Sequence, residues 1–166
     1  MTSFKDSMIE YKKQIEVGTI QTAYKGLMEY LMGLKTHLKN SHPEYHVSSN
    51  IYFGYMDMSY FSFTPQSIKE RKLKCAIVFN HETFNFEIWL AGVNKKIQSD
   101  YWSLFEESGW NKYPIVATTK GVDSIVEFTL VNDPDFADLP KLSNQLEKST
   151  LLFIKDIEQF LSKNTI

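Results

Sequence analysis

The sequence predicts an α+β domain: an antiparallel-dominated sheet of about five or six strands, with helices packed mainly on one face. Three observations carry this. Apolar residues recur at helical spacing in the first third of the chain and near its end, whereas the middle alternates with a period of two. The strands come bunched, in the order ααββββαββα, rather than alternating singly with helices, which argues against a parallel sheet. The chain has 166 residues, 43% of them hydrophobic, which suits one domain over residues 1–166 with a core of its own.

Phe4, Met8, Tyr11 and Ile15 recur at helical spacing behind Ser3 as a cap, and Gly18 supplies the stop. Thr19 caps a second helix carrying Ala23, Leu27, Leu31, Leu34 and Leu38 to about Asn40. Gly26 and Gly33 lie within it on nearly one face. Each costs about 1 kcal/mol relative to alanine, so a close neighbour is expected there. Ile51–Tyr55 and Asp57–Thr64 read as strands ended by Pro65. Leu73, Cys75, Ile77 and Phe79 then alternate with polar and small residues, and Phe84, Phe86, Ile88 and Leu90 do the same after a turn at His81-Glu82. The expected hairpin pairs Phe79 with Phe84, Ile77 with Phe86, Cys75 with Ile88 and Leu73 with Leu90, placing all eight on one face. It also sets Lys74 opposite Trp89 and Ala76 opposite Glu87. Asn94 caps a helix with Ile97, Tyr101, Leu104 and Phe105 on its stripe, ended by Gly109. Ile115–Thr118 and Ser124–Val131 are short strands around Lys120-Gly121, the second burying Val126, Phe128 and Leu130. Asp138 caps a final helix that turns Leu142, Leu146, Phe153, Ile157 and Phe160 inward.

Charge and motifs exclude more than they assign. Lys plus Arg is 18 against 20 for Asp plus Glu, and Arg71 is the only arginine, so a nucleic-acid partner is disfavoured. No apolar run approaches the roughly 20 residues of a spanning helix, so no membrane partner is expected. One cysteine rules out a disulfide scaffold, and the chain has no basic-then-apolar leader and no Asn-x-Ser/Thr sequon, which together predict a cytoplasmic protein. Phosphate-cradling glycine loops and the nucleophile elbow are absent, so no cofactor is called for. Cys75, on the apolar hairpin face, reads as an inert core thiol.

Three constellations remain. His37, His42 and His46 cluster within ten positions and supply imidazoles for a metal, although their spacing matches no established zinc motif. Asp57, Glu87 and Lys74 on neighbouring strands could hold a divalent ion and activate water, as in a metal-dependent nuclease or nucleotide hydrolase. The blander reading makes Glu87 and Lys74 an exposed cross-strand neighbourhood. The aromatics Tyr52, Tyr60, Trp89 and Trp110 exceed what one sheet face buries, and aromatics with polar handles line pockets and interfaces. The favoured expectation is therefore a binding or interaction protein, with a small-molecule ligand or a homodimer as its partner. The alternative is the divalent-ion hydrolase, and it requires its three side chains to converge.

The stretches Tyr24-Lys25-Gly26-Leu27-Met28-Glu29-Tyr30, Gly54-Tyr55-Met56-Asp57-Met58, Lys74-Cys75-Ala76-Ile77-Val78-Phe79-Asn80-His81 and Ser108-Gly109-Trp110-Asn111-Lys112-Tyr113 resemble a family of small bacterial proteins known as a domain of unknown function. The resemblance spans nearly the whole chain. It implies a free-standing domain in a bacterial, cytoplasmic protein, and it carries over no activity, cofactor or catalytic residue. The strand Phe86-Glu87-Ile88-Trp89-Leu90, with the amphipathic helix and Trp-containing turn after it, is also similar to accessory domains near bacterial DNA-processing enzymes. That stretch is too short to rest a function on.

Overall fold

Capping residues set the first helix as the sequence predicts, while Thr19, the expected cap of the second, is already that helix's first residue. The computed structural model describes residues 1–166. Helix α1 (Phe4–Val17) opens on a capping box in which the Asp6 amide donates to Ser3 Oγ at 3.1 Å and the Ser3 amide donates to the Asp6 carboxylate at 3.3 Å. Gly18 closes it at φ 85°, a left-handed turn that a side chain would strain. Helix α2 (Thr19–Ser41) follows directly. The chain gathers into two compact units, Met1–Leu34 and Lys35–Ile166.

In the first unit α1 buries none of its residues. In α2 the buried positions are Met28, Leu31 and Leu34, with Leu38 buried in the part of the helix that belongs to the second unit, while Ala23 is exposed and Leu27 half-buried. The expected close neighbour at the α2 glycines is absent. A Cβ built on Gly26 or Gly33 would meet no atom within 4 Å, so these glycines lower helix stability without a steric reason.

The second unit carries the sheet, whose strands β1 (His46–Val47), β2 (Met58–Thr64), β3 (Leu73–Asn80), β4 (Asn85–Gly92) and β5 (Ser124–Val131) lie side by side in chain order, all antiparallel. Its helices, besides the tail of α2, are α3 (Gln66–Lys69), α4 (Lys95–Glu107) and α5 (Leu139–Lys163). The fold is a single α+β domain built on one open five-stranded sheet. Element order is ααββαββαβα. The expected strand Ile51–Tyr55 reduces to a single bridge, Tyr52 to Tyr60, because Gly54 and Met56 take positive φ and break the extended run. Ile115–Thr118 likewise reduces to the bridge Ile115 to Val126, and the turn α3 lies where no element was expected.

The hairpin of β3 and β4 keeps the predicted faces and changes the predicted partners. Phe79 pairs with Phe86, Ile77 with Ile88, Cys75 with Leu90 and Leu73 with Gly92, two residues from the expected register. The cause is a four-residue loop, His81 to Phe84. Asn80 Oδ1 accepts from the amides of Glu82 (3.0 Å) and Thr83 (3.4 Å), and Phe84 sits at φ 55°. A slip of two preserves side-chain direction, so Leu73, Cys75, Ile77, Phe79, Phe86, Ile88 and Leu90 share one buried face. Phe84 alone leaves it, for the exposed loop. On the other face Lys74 pairs with Ala91, Ala76 with Trp89 and Val78 with Glu87.

Helix α5 covers the buried face and the remaining helices of this unit fasten to it. Asp138 caps it by accepting from the Lys141 amide at 3.2 Å. Phe153 and Phe128 of β5 stack at 6.3 Å between ring centroids, and Phe160 stacks on Phe105 of α4 at 4.2 Å. Ser67 of α3 donates to Glu158, and His37 and His42, at the end of α2, both reach Glu147. The stripe of α4 is rotated from the expected one: Gln98 and Phe105 are buried, while Ile97, Tyr101 and Leu104 are half-buried. Gln98 is inside because its side-chain amide donates to the carbonyls of Val122 and Ser124 at 2.8 and 2.9 Å. Gly92 opposite must be glycine, since a Cβ would lie 2.5 Å from the Gln98 nitrogen.

Candidate functional site

With α5 on one face, the other face of the sheet shows two cross-strand rows. One runs Tyr60, Val78, Glu87, Thr129, and the next runs Ser62, Ala76, Trp89, Glu127. Val78 and Ala76 are small and buried, and they form a floor between the larger half-buried Tyr60 on one side and Glu87 and Trp89 on the other. Tyr52 extends the face past the edge: its backbone exchanges hydrogen bonds of 2.8 and 2.9 Å with Tyr60, and the two rings stack at 4.9 Å. The Tyr52 ring is 45% exposed.

Trp89 and Glu87, two residues apart on one strand, point the same way. The indole Nε1 donates to a Glu87 oxygen at 2.8 Å, and Asn80 donates to the other at 3.4 Å. Burial pushes the Glu87 carboxyl above its ordinary range, the Trp89 donor opposes this, and the neighbouring Glu127 carboxylate adds to the rise. Glu127 itself accepts from Ser124 Oγ at 2.7 Å. Beside these two acids a cavity of about 200 Å³ is lined by Glu87, Glu127, Phe128, Thr129 and Pro114 to Val116. Aromatic rings beside two carboxylates can recognise a partner with an apolar surface and cationic or hydrogen-bond-donating groups.

Trp110 does not join this face. Its ring packs among Phe105, Phe160 and Tyr113, and its indole donates to the Tyr113 carbonyl at 3.1 Å. Asp57, Glu87 and Lys74 are not brought together either. Asp57 lies in the exposed turn ahead of β2, where the Tyr55 amide donates to it at 2.9 Å; this and the Met58 amide hold its carboxyl below the usual range. Lys74 shares a face with Glu87 but sits four residues along β3 from Glu87's partner Val78, about 13 Å. Of the histidines, His37 and His42 converge on Glu147 at 2.7 and 2.8 Å, whereas His46 contacts Gln66 at 2.5 Å. No group of three or more His, Cys, Asp or Glu is placed to hold a metal ion.

The structure adds residues that the sequence did not single out. Glu127 was legible as an outward position between Val126 and Phe128, but its pairing with Trp89 depends on the β4–β5 register and its two irregularities. Ser59 and His81, 2.9 Å apart and near Asp57, have the residue types of a hydrolytic triad. Their geometry serves another purpose. Ser59 is fully buried and its hydroxyl donates to the Phe53 carbonyl at 2.6 Å, so its proton already has an acceptor and the oxygen has no open approach. The pair pins the segment before β2 to the β3–β4 turn.

Residues 4–161 match the protein family described as a domain of unknown function, DUF7000. The chain belongs to this family. The DUF7000 match runs from the first residue of α1 to the last turn of α5, so the whole sheet and nearly all of both units lie inside the family's domain. No curated protein and no solved structure matches the chain. No helix is long and apolar enough to cross a membrane.

Proposed function

We propose that this DUF7000 protein is a cytoplasmic binding or interaction protein whose working surface is the open face of the sheet, with Tyr52, Tyr60 and Trp89 as its contact residues. One observation carries the reading. In the sheet-bearing unit the helices gather on α5 over the opposite face, and stacked tyrosines and a tryptophan stand around a small-residue floor on this one. Large amphipathic rings around small residues are what interface centres and ligand platforms are made of. The single, fully buried Cys75 is consistent with a reducing compartment.

Native mass spectrometry of the purified wild type, Trp89→Ala and Tyr60→Ala tests this directly. The expected wild-type spectrum holds an added mass, either a small molecule or a second chain, that both substitutions remove. A wild type carrying no added mass, or an added mass that survives both substitutions, would overturn the proposal.

A further inference from the structure

Two surfaces of this chain carry complementary charge. The first is α1. Phe4, Met8, Tyr11 and Ile15 are spaced by four, three and four residues, the seam of a helix that lies along an apolar partner. They are 81%, 45%, 58% and 37% exposed. A helix of 14 residues with no packed face is marginal in water, and its caps supply only about 1 kcal/mol at each end. Lys5 and Lys12 flank the seam one heptad apart, and Lys12 makes only an exposed pair with Glu16 at 3.8 Å. The second surface is the open sheet face, where Trp89 stands between the carboxylates of Glu87 and Glu127.

We propose that α1 of one copy lies on the open sheet face of a second copy, and that the exchange is reciprocal. Phe4, Met8, Tyr11 and Ile15 then face the rings of Tyr52, Tyr60 and Trp89, while Lys5 and Lys12 lie beside Glu87 and Glu127. This rests on the reading of that face as the working surface and names its occupant. Charge complementarity favours this arrangement over helix-to-helix pairing, because two α1 helices packed antiparallel would set Lys5 against Lys12. Area supports reciprocity. The two rings and two aliphatic side chains of α1 cover roughly 500 Å², so a single contact falls below a stable interface and a reciprocal pair doubles the area buried. A twofold pair of such contacts also closes, leaving neither surface open to further copies.

Sedimentation equilibrium of the full chain, with circular dichroism to confirm the fold of each variant, tests the proposal. The wild type is expected to be a dimer and Tyr11→Glu a monomer. Glu127→Lys should weaken the dimer about tenfold or more, and so should the pair Lys5→Glu and Lys12→Glu. Combining all three with Glu87→Lys, which reverses both sides of the contact, should restore it. A monomeric wild type overturns the exchange, as does a dimer that Tyr11→Glu leaves intact. A dimer that Tyr11→Glu breaks but Glu127→Lys leaves unchanged places α1 on another surface and also overturns it. A monomer that nevertheless retains a small molecule lost in Trp89→Ala would sink the exchange alone and leave the working surface standing.

Discussion

Asp156 offers the sharpest test of how the open face is held in shape. It lies on α5, 6% exposed, and accepts from Lys112 Nζ at 2.8 Å and Tyr113 Oη at 2.5 Å. Those two residues begin the segment whose next residues, Pro114 to Val116, hydrogen-bond the edge of β5 and rim the cavity beside Glu87. Asp156→Ala removes two hydrogen bonds to a charged acceptor and leaves Tyr113 without its partner, while Lys112, 55% exposed, regains water. The expected cost is about 2–3 kcal/mol, and about 1–2 kcal/mol for Asp156→Asn, which keeps one acceptor. For a chain of this length the alanine variant should lose roughly 5–10 °C in Tm. The pH dependence has a definite sign. Burial alone would raise the Asp156 carboxyl, but Lys112 and Tyr113 outweigh it and hold it below the usual range. The contribution is therefore complete above the unfolded value of about 3.9 and is lost as pH falls through the folded one. Thermal or urea melts across that range should show the Asp156→Asn penalty in full at neutral pH and shrinking in strong acid. An Asp156→Asn variant as stable as the wild type at neutral pH, or a penalty independent of pH, would refute the reasoning.

Gly26→Ala and Gly33→Ala should each stabilise α2 by up to about 1 kcal/mol, because neither new methyl meets an atom within 4 Å; urea melts that show a loss instead would reveal a neighbour the structure lacks. Glu147→Gln should cost about 1 kcal/mol at neutral pH. Burial raises this carboxyl but the hydrogen bonds from His37 and His42 lower it further, so the cost should fade as pH drops below about 4, as acid titration of stability would show. Cys75 is fully buried, and burial, with Glu158 adding to it, pushes its thiol well up. Its labelling by a thiol reagent should wait for unfolding, and rapid modification of the native protein would contradict that burial.

The parts of the fold legible in the sequence are those fixed within one turn or one strand. Ser3, Gly18, Asn94 and Asp138 act on backbone groups no more than four residues away, and each caps the helix expected of it. The hairpin separates what is local from what is not. Which side Cys75 or Ile88 faces depends only on alternation, and that was readable. Which residue each one pairs with depends on loop length, and the loop is set by Asn80 bonding two amides in the turn, together with a phenylalanine in a left-handed conformation that its residue type disfavours. Ile51–Tyr55 and Ile115–Thr118 have strand composition and yet make one bridge each, because composition records affinity for a pleated surface and says nothing about whether an edge is free along its length.

The candidate site was legible one residue at a time and hidden as a set. Tyr52, Tyr60, Trp89 and Trp110 look alike in a sequence, each an aromatic with a polar handle, but their surroundings divide them. Trp110 follows α4 and falls against Phe105 and Phe160, where α4 meets α5. Trp89 alternates away from the buried face, and its indole turns along the strand toward Glu87. Separating the two requires knowing which face α5 covers, and that is decided by contacts such as Phe153 on Phe128, 25 residues apart in the chain. Glu87 follows the same logic. As a sequence it suggested an ion ligand with Asp57 and Lys74; in the sheet its nearest polar neighbours are Trp89 and Asn80, with Glu127 close enough to disfavour its charge. Two carboxylates held near one indole on an open face present negative charge to whatever docks there. A cationic flank such as the one carried by α1 relieves that charge, and a neutral apolar partner of the same shape does not.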